Sequence, residues 1–114
     1  MTKIYGIKNC DTCRKALKSF VGAGKTHSYH DFRVNGLSAE SLDNWIKSVG
    51  WEKLLNRRGT TWRNLSEEIK GAIDEGSARD LMLENPTLIK RPVFEIEDSV
   101  VVGFTKNEQA LLGL

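Results

Sequence analysis

The feature that most constrains this chain is Cys10-Asp11-Thr12-Cys13, placed where one residue periodicity gives way to another. Lys3 to Ile7 are rich in β-formers and are followed by Asn9, a turn and cap residue, so they read as a short strand. From Asp11 the pattern becomes helical. Cys13, Ala16, Leu17, Phe20 and Val21 recur at i, i+3, i+4, i+7 and i+8, one apolar stripe facing a core, and Gly22 and Gly24 end it. Thr26 to Phe32 then reads as a second strand, with Ser28, His30 and Phe32 on one face. A right-handed crossover is the expected link between two such strands.

The remaining chain extends that unit. Asn35-Gly36 turns it, and Ser38 opens a helix in which Leu42, Trp45, Ile46 and Val49 keep helical spacing. Asn56 to Thr61 is a polar, glycine-containing loop. Ser66 is expected to cap a short helix through Ile73, and Ser77, with Asp80 three residues on, another through Glu84. Pro86 stops it. Val93, Phe94 and Ile96 alternate with Glu95 and Glu97, Asp98-Ser99 reads as a tight turn, and Val100 to Phe104 returns as a partner strand. Lys106 to Leu112 closes with a helix. These elements predict an α/β fold: a mixed four-stranded sheet with flanking helices and a helical insertion, about 38–85, between the second and third strands. At 114 residues the expectation is one domain spanning 1–114.

Composition narrows the function classes. Lys+Arg 17 minus Asp+Glu 15 gives +2, with both signs scattered, so no basic stripe marks a direct nucleic-acid interface. No run approaches the roughly 18–20 apolar residues that would span a bilayer. Two cysteines cannot build a disulfide scaffold, and the N-terminus has no apolar stretch of the signal-peptide kind. A cytoplasmic protein with reduced thiols and no membrane partner is expected.

In that setting the Cys-x-x-Cys carries chemistry. A cysteine at a helix N-cap sits against unpaired backbone N–H groups and the positive end of the helix dipole, which favour thiolate over thiol. Cys13, one turn on, lies within reach of the first sulfur and can resolve a mixed disulfide formed there. The bland alternative is a pair of incidental thiols, one facing the core. A zinc reading through His27 and His30 fails on spacing: a finger wants about 12 residues before the first His and three to five between the two. Residues three apart in a strand also face opposite ways, so no metal site is expected. Gly22-Ala23-Gly24-Lys25-Thr26 ends a helix and opens a strand, the reverse of a phosphate-binding loop. Arg57-Arg58-Gly59 and Arg91-Pro92 supply planar forks suited to oxyanions and carboxylates, against the plain reading of solvated charge. Lys8 and Arg14 flank the cysteines and add positive potential. Trp45, Trp51 and Trp62 fit helical packing.

Together, I-Y-G-I-K-N-C-D-T-C, L-L-N-R-R-G-T-T-W-R, L-I-K-R-P-V and V-V-G-F resemble the ArsC-like group of thioredoxin-fold proteins, most closely the small YffB-type reductases. Glutaredoxin-linked arsenate reductases and the Spx regulators are relatives. The resemblance runs across essentially the whole chain and implies a thioredoxin-like core with a helical insertion. It implies that Cys10 is the nucleophile, that Arg58 lines the site, and that Arg91 precedes a cis-proline, Pro92. No bound cofactor is implied; glutathione is the expected co-substrate, with glutathione or glutaredoxin as partner. The implied activity is a thiol-dependent reductase whose adduct is resolved by Cys13 or by glutathione. Two rivals come with the resemblance: arsenate reduction, and an Spx-like redox switch that binds RNA polymerase. Arsenate reductases of the group carry a third arginine after the glycine of the last strand, where this chain has Phe104. Many relatives also lack a counterpart of Cys13, whereas Spx proteins have the pair.

Overall fold

The computed structural model describes every residue, Met1–Leu114, and divides into two compact units, Met1–Gly36 with Arg91–Leu114, and Leu37–Lys90. The first unit holds the sheet. Strand β1 (Thr2–Gly6) enters helix α1 (Asp11–Gly22) through a four-residue connection and returns as β2 (His27–Asp31). β1 and β2 pair in parallel with Ile4 opposite Tyr29. On the other side of β1 runs β3 (Val93–Ile96), antiparallel, with Ile4 opposite Phe94, and β4 (Ser99–Val102) completes the order β2-β1-β3-β4. This is the expected mixed four-stranded sheet of a thioredoxin-like α/β fold, and the helices between β2 and β3 form the insertion.

One sheet face is held by a cluster of Ile4, Ala16, Phe20, Phe94 and Leu112, which joins α1, β1, β3 and the C-terminal segment. The rings of Phe20 and Phe94 stack at 5.7 Å, and Phe104 packs on Phe94 at 6.0 Å. Helix α8 (Lys106–Leu111) starts from a capping box in which Thr105 and Glu108 bond reciprocally.

In the second unit, α3 (Ala39–Val49) buries Leu42, Trp45 and Ile46 and is followed by the helical turns α4 (Trp51–Leu54), α5 (Thr60–Arg63) and α6 (Glu67–Gly71). Helix α7 (Glu75–Glu84) runs into a 3₁₀ turn at Pro86–Leu88. Arg79 of α7 forks Asp43 of α3 at 2.5 and 3.2 Å. The Arg57 guanidinium lies over the rings of both Trp51 and Trp62.

Several expectations need correction. Val21 is 69% exposed: it lies at the edge of the stripe defined by Cys13, Ala16 and Phe20, in the last turn of α1. Phe32 does not extend β2. Asp31 accepts the Arg33 N–H and starts α2 (Phe32–Asn35), so a strong N-cap overrides the alternation. The cap of α7 is Asp74, whose carboxylate accepts the Ser77 N–H while Ser77 Oγ accepts the Asp74 N–H; Ser77 is inside the helix. The α6 helix ends at Gly71, two residues short of Ile73. Thr60 and Thr61, placed in a loop by their polarity, begin α5. The β3–β4 turn falls on Glu97-Asp98, one residue early, with Glu97 at φ 53°.

Phe94 is the central ring of the core cluster. Phe94→Ala should cost about 3–5 kcal/mol of unfolding free energy, read from chemical denaturation. A loss below about 1 kcal/mol would show that this cluster does not hold the sheet together.

Candidate active site

The site begins with the connection between β1 and α1. Its backbone is tied to β2 by Asp31, which is only 8% exposed. Asp31 Oδ2 accepts the Lys8 N–H at 2.9 Å and Oδ1 accepts the Arg33 N–H at 2.8 Å, so both carboxylate oxygens are used. Cys10 then takes the N-cap position with extended backbone (φ −136°, ψ 116°), and its carbonyl accepts the Arg14 N–H at 3.0 Å. Its side chain makes no regular capping bond to the helix.

The acidities of the two thiols are moved in opposite directions. Partial burial of Cys10 works against ionisation, but the Cys13 backbone amide and thiol and the Arg91 guanidinium all favour its thiolate and outweigh that cost. The net effect holds the Cys10 pKa below its ordinary value. Cys13 points inward and is 1% exposed. Burial pushes its thiol up to about 12, with the Cys10 sulfur adding to the rise and the Ile7 amide and Tyr29 hydroxyl opposing it. Of two thiols a helical turn apart, Cys10 is therefore the more acidic and Cys13 the one that holds its proton.

Arg91 acts on Cys10 from just ahead of β3, and the Arg91–Pro92 peptide bond is cis. Pro92 is fully buried, and its carbonyl accepts the Gly103 N–H at 2.9 Å. Lys8 and Arg14 are exposed and border a cavity of about 320 Å3 floored by Ile7, Leu17, Cys13 and Tyr29. Arg14 is also paired with Asp11. The first unit therefore brings together Cys10, Cys13 and Arg91, with Lys8 and Arg14 bordering the cavity beside Cys13, and Pro92 follows Arg91 as a buried residue. Arg58 belongs to the second unit, where its N–H donates to Asn56 Oδ1 at 3.1 Å and its carbonyl accepts from Arg63 at 2.7 Å. Phe104 is partly buried and packs against the core cluster. His27 bonds the Lys25 carbonyl at 2.9 Å, and His30 bonds the Gly36 carbonyl at 2.6 Å while packing on Tyr5. The structure gathers no group of three His, Cys, Asp or Glu side chains able to hold a metal ion.

Three residues of this region escaped the sequence reading. A Cβ on Gly6 would collide with Cys13 Sγ, so the bare backbone there lets the second thiol sit against β1. An isolated glycine in a strand is the available signal for such a close approach. Asp31 could have been recognised as an N-cap by its position ahead of a turn. Tyr29, whose hydroxyl donates to the Ile7 carbonyl at 2.8 Å, is placed by long-range parallel pairing that no local pattern encodes.

The chain belongs to the ArsC family, whose model matches residues 5–111. An uncharacterized protein of Haemophilus influenzae is 44% identical over 108 residues, 95% of each chain. Among solved structures, a YffB protein is 40% identical, with 97% of each chain covered and a TM-score of 0.91. An arsenate reductase (ArsC) related protein from Brucella melitensis is 46% identical, covering 99% of this chain and 95% of its own, with a TM-score of 0.81. More distant is the global transcriptional regulator Spx of Lactiplantibacillus plantarum, 27% identical over 115 residues, 95% of this chain and 83% of its own. No helix of the structure is long and apolar enough to cross a membrane.

Two variants test the site's construction. Gly6→Ala should destabilise the protein by about 1–3 kcal/mol in thermal or chemical unfolding, as overpacking does. Most of that loss should return when Cys13→Ala is added, because the methyl then has room; additive losses would mean that the clash is not with the Cys13 sulfur. Arg91→Ala should move the midpoint of the pH profile for Cys10 alkylation upward and slow iodoacetamide labelling at neutral pH. An unchanged profile would show that the guanidinium does not act on this thiolate.

Proposed function

We propose that this ArsC-family protein is a thiol-dependent reductase of the YffB type in which Cys10 is the nucleophile and Cys13 the resolving thiol. The observation that carries this reading is the opposed tuning of the two sulfurs, Cys10 lowered beside Arg91 and Cys13 raised by burial. The Cys10 thiolate attacks a disulfide R–S–S–R′, forming Cys10–S–S–R and releasing R′S⁻. Cys13 then attacks Cys10 Sγ, the bond to R breaks, and the Cys10–Cys13 disulfide forms as RSH leaves. An external thiol, glutathione or glutaredoxin, returns the pair to the reduced state. Lys8 and Arg14 give the approach to the cavity a positive rim, which suits an acidic thiol such as glutathione.

Arsenate ranks below a disulfide as substrate here. Phe104 stands where the arsenate-reducing relatives place a third arginine, and its ring is committed to packing on Phe94. The same cysteine pair, with the likeness to Spx, supports a redox-switch reading as second choice. It requires a protein complex that depends on whether Cys10 and Cys13 are bridged.

Intact-mass measurement after brief exposure to oxidised glutathione separates these steps. Wild type should lose two hydrogens, Cys13→Ser should gain a single glutathionyl group, and Cys10→Ser should stay unmodified. An unmodified Cys13→Ser protein would remove Cys10 as the nucleophile. A glutathionylated wild type with no internal disulfide would assign resolution to glutathione instead of Cys13.

A further inference from the structure

The resolving step asks for a thiolate from a residue placed where thiolates are disfavoured. Cys13 is 1% exposed. Two groups nevertheless work against the rise in its pKa: the Ile7 backbone N–H, and the hydroxyl of Tyr29 on β2. Gly6 is what brings them together. A Cβ there would collide with Cys13 Sγ and lie 3.0 Å from Tyr29 Oη, so both atoms occupy the space that a side chain would take. Tyr29 and Cys13 also floor the same cavity, with Lys8 and Arg14 bordering it. In the resting thiol the Tyr29 hydroxyl proton is directed to the Ile7 carbonyl at 2.8 Å. A phenolic O–H has one proton and is free to turn it toward a second acceptor.

We propose that Tyr29 stabilises the Cys13 thiolate during resolution, its O–H turning from the Ile7 carbonyl to Cys13 Sγ as that sulfur ionises. This rests on the reading of Cys10 as nucleophile and Cys13 as resolving thiol. Cys13–SH releases its proton to a solvent base, its sulfur attacks Cys10 Sγ, the Cys10–S–S–R bond breaks, and RS⁻ departs and is protonated by solvent. Tyr29 keeps its own proton throughout. Burial first, then the charges of Cys13, Asp31 and Cys10, hold its pKa above the ordinary tyrosine value, which makes it a donor and not a base. Once Cys10 is in a mixed disulfide its negative charge is gone, and with it the repulsion it imposes on a Cys13 thiolate. Ile7 N–H and Tyr29 O–H are then the groups that offset burial.

The experiment is stopped-flow reaction of the reduced full chain with 5,5′-dithiobis(2-nitrobenzoate). Attack by Cys10 releases a first nitrothiobenzoate and attack by Cys13 releases the second, so each step has its own phase. Losing a hydrogen bond to a charged sulfur should slow the second release about ten- to hundredfold in Tyr29→Phe. Its pH midpoint should rise, and the first release should persist. A second phase with unchanged rate and pH profile would overturn the role of Tyr29. Absence of a first release in wild type would instead overturn the Cys10 reading, whatever Tyr29→Phe does. A fold-preserving arm uses Tyr5→Phe protein in which the remaining tyrosine is 3-fluorotyrosine, a stronger donor. Its second release should be at least as fast as that of Tyr5→Phe alone; slowing to the Tyr29→Phe level would assign Tyr29 a purely structural role.

Discussion

The first unit is organised by how closely α1 approaches β1. Because Gly6 presents no side chain, the first turn of α1 can lay Cys13 directly against the strand, and Ala16 and Phe20 continue the contact along the sheet. That approach decides the chemistry as well as the packing. It buries the second sulfur and leaves the first at the N-terminus of the helix, beside Arg91, so two cysteines three residues apart acquire opposite acidities. A larger residue at position 6 would lift the helix, and the distinction between nucleophile and partner would weaken with it.

Asp31 does for the connecting loop what Gly6 does for the helix. By accepting from Lys8 and Arg33 at once, it fixes the residues that deliver the chain to Cys10 and also begins the next helical turn. Both oxygens of a nearly buried carboxylate are satisfied, which is the condition under which burying it is tolerable. The N-cap is thus set by a strand neighbour and not by loop residues that would otherwise be free to move.

What could be read from the chain depended on how local each cause is. The shift from strand-like to helical spacing around Cys10 is written in consecutive residues, so the β-α-β start, the cysteine pair and the later hairpin are legible. Capping is local but ambiguous: Asp74 and Ser77 are both good caps, and only their reciprocal bonds in the structure decide between them. The alternation of β2 continues in sequence through Phe32, past the residue at which Asp31 starts a helix. Arg91 stands out locally only as an arginine ahead of a proline and a strand, and its place before a cis-proline comes from family likeness. Tyr29 was out of reach, since its partners at Ile7 and Cys13 are set by parallel pairing to β1 and by the packing of α1.

The guanidinium that acidifies Cys10 stands just ahead of β3, on the far side of the second unit in sequence. The acidity of this thiol is therefore a property of the completed sheet, and Cys10 reactivity doubles as a gauge of whether β3 is docked. The same coupling runs in reverse through proton linkage. A thiol whose folded pKa is lowered contributes stability that is complete above the ordinary thiol pKa and is lost as pH falls through the lowered one. Through Cys10 rising pH favours the docked strand, whereas Cys13, whose pKa is raised by burial, opposes it above the ordinary thiol value.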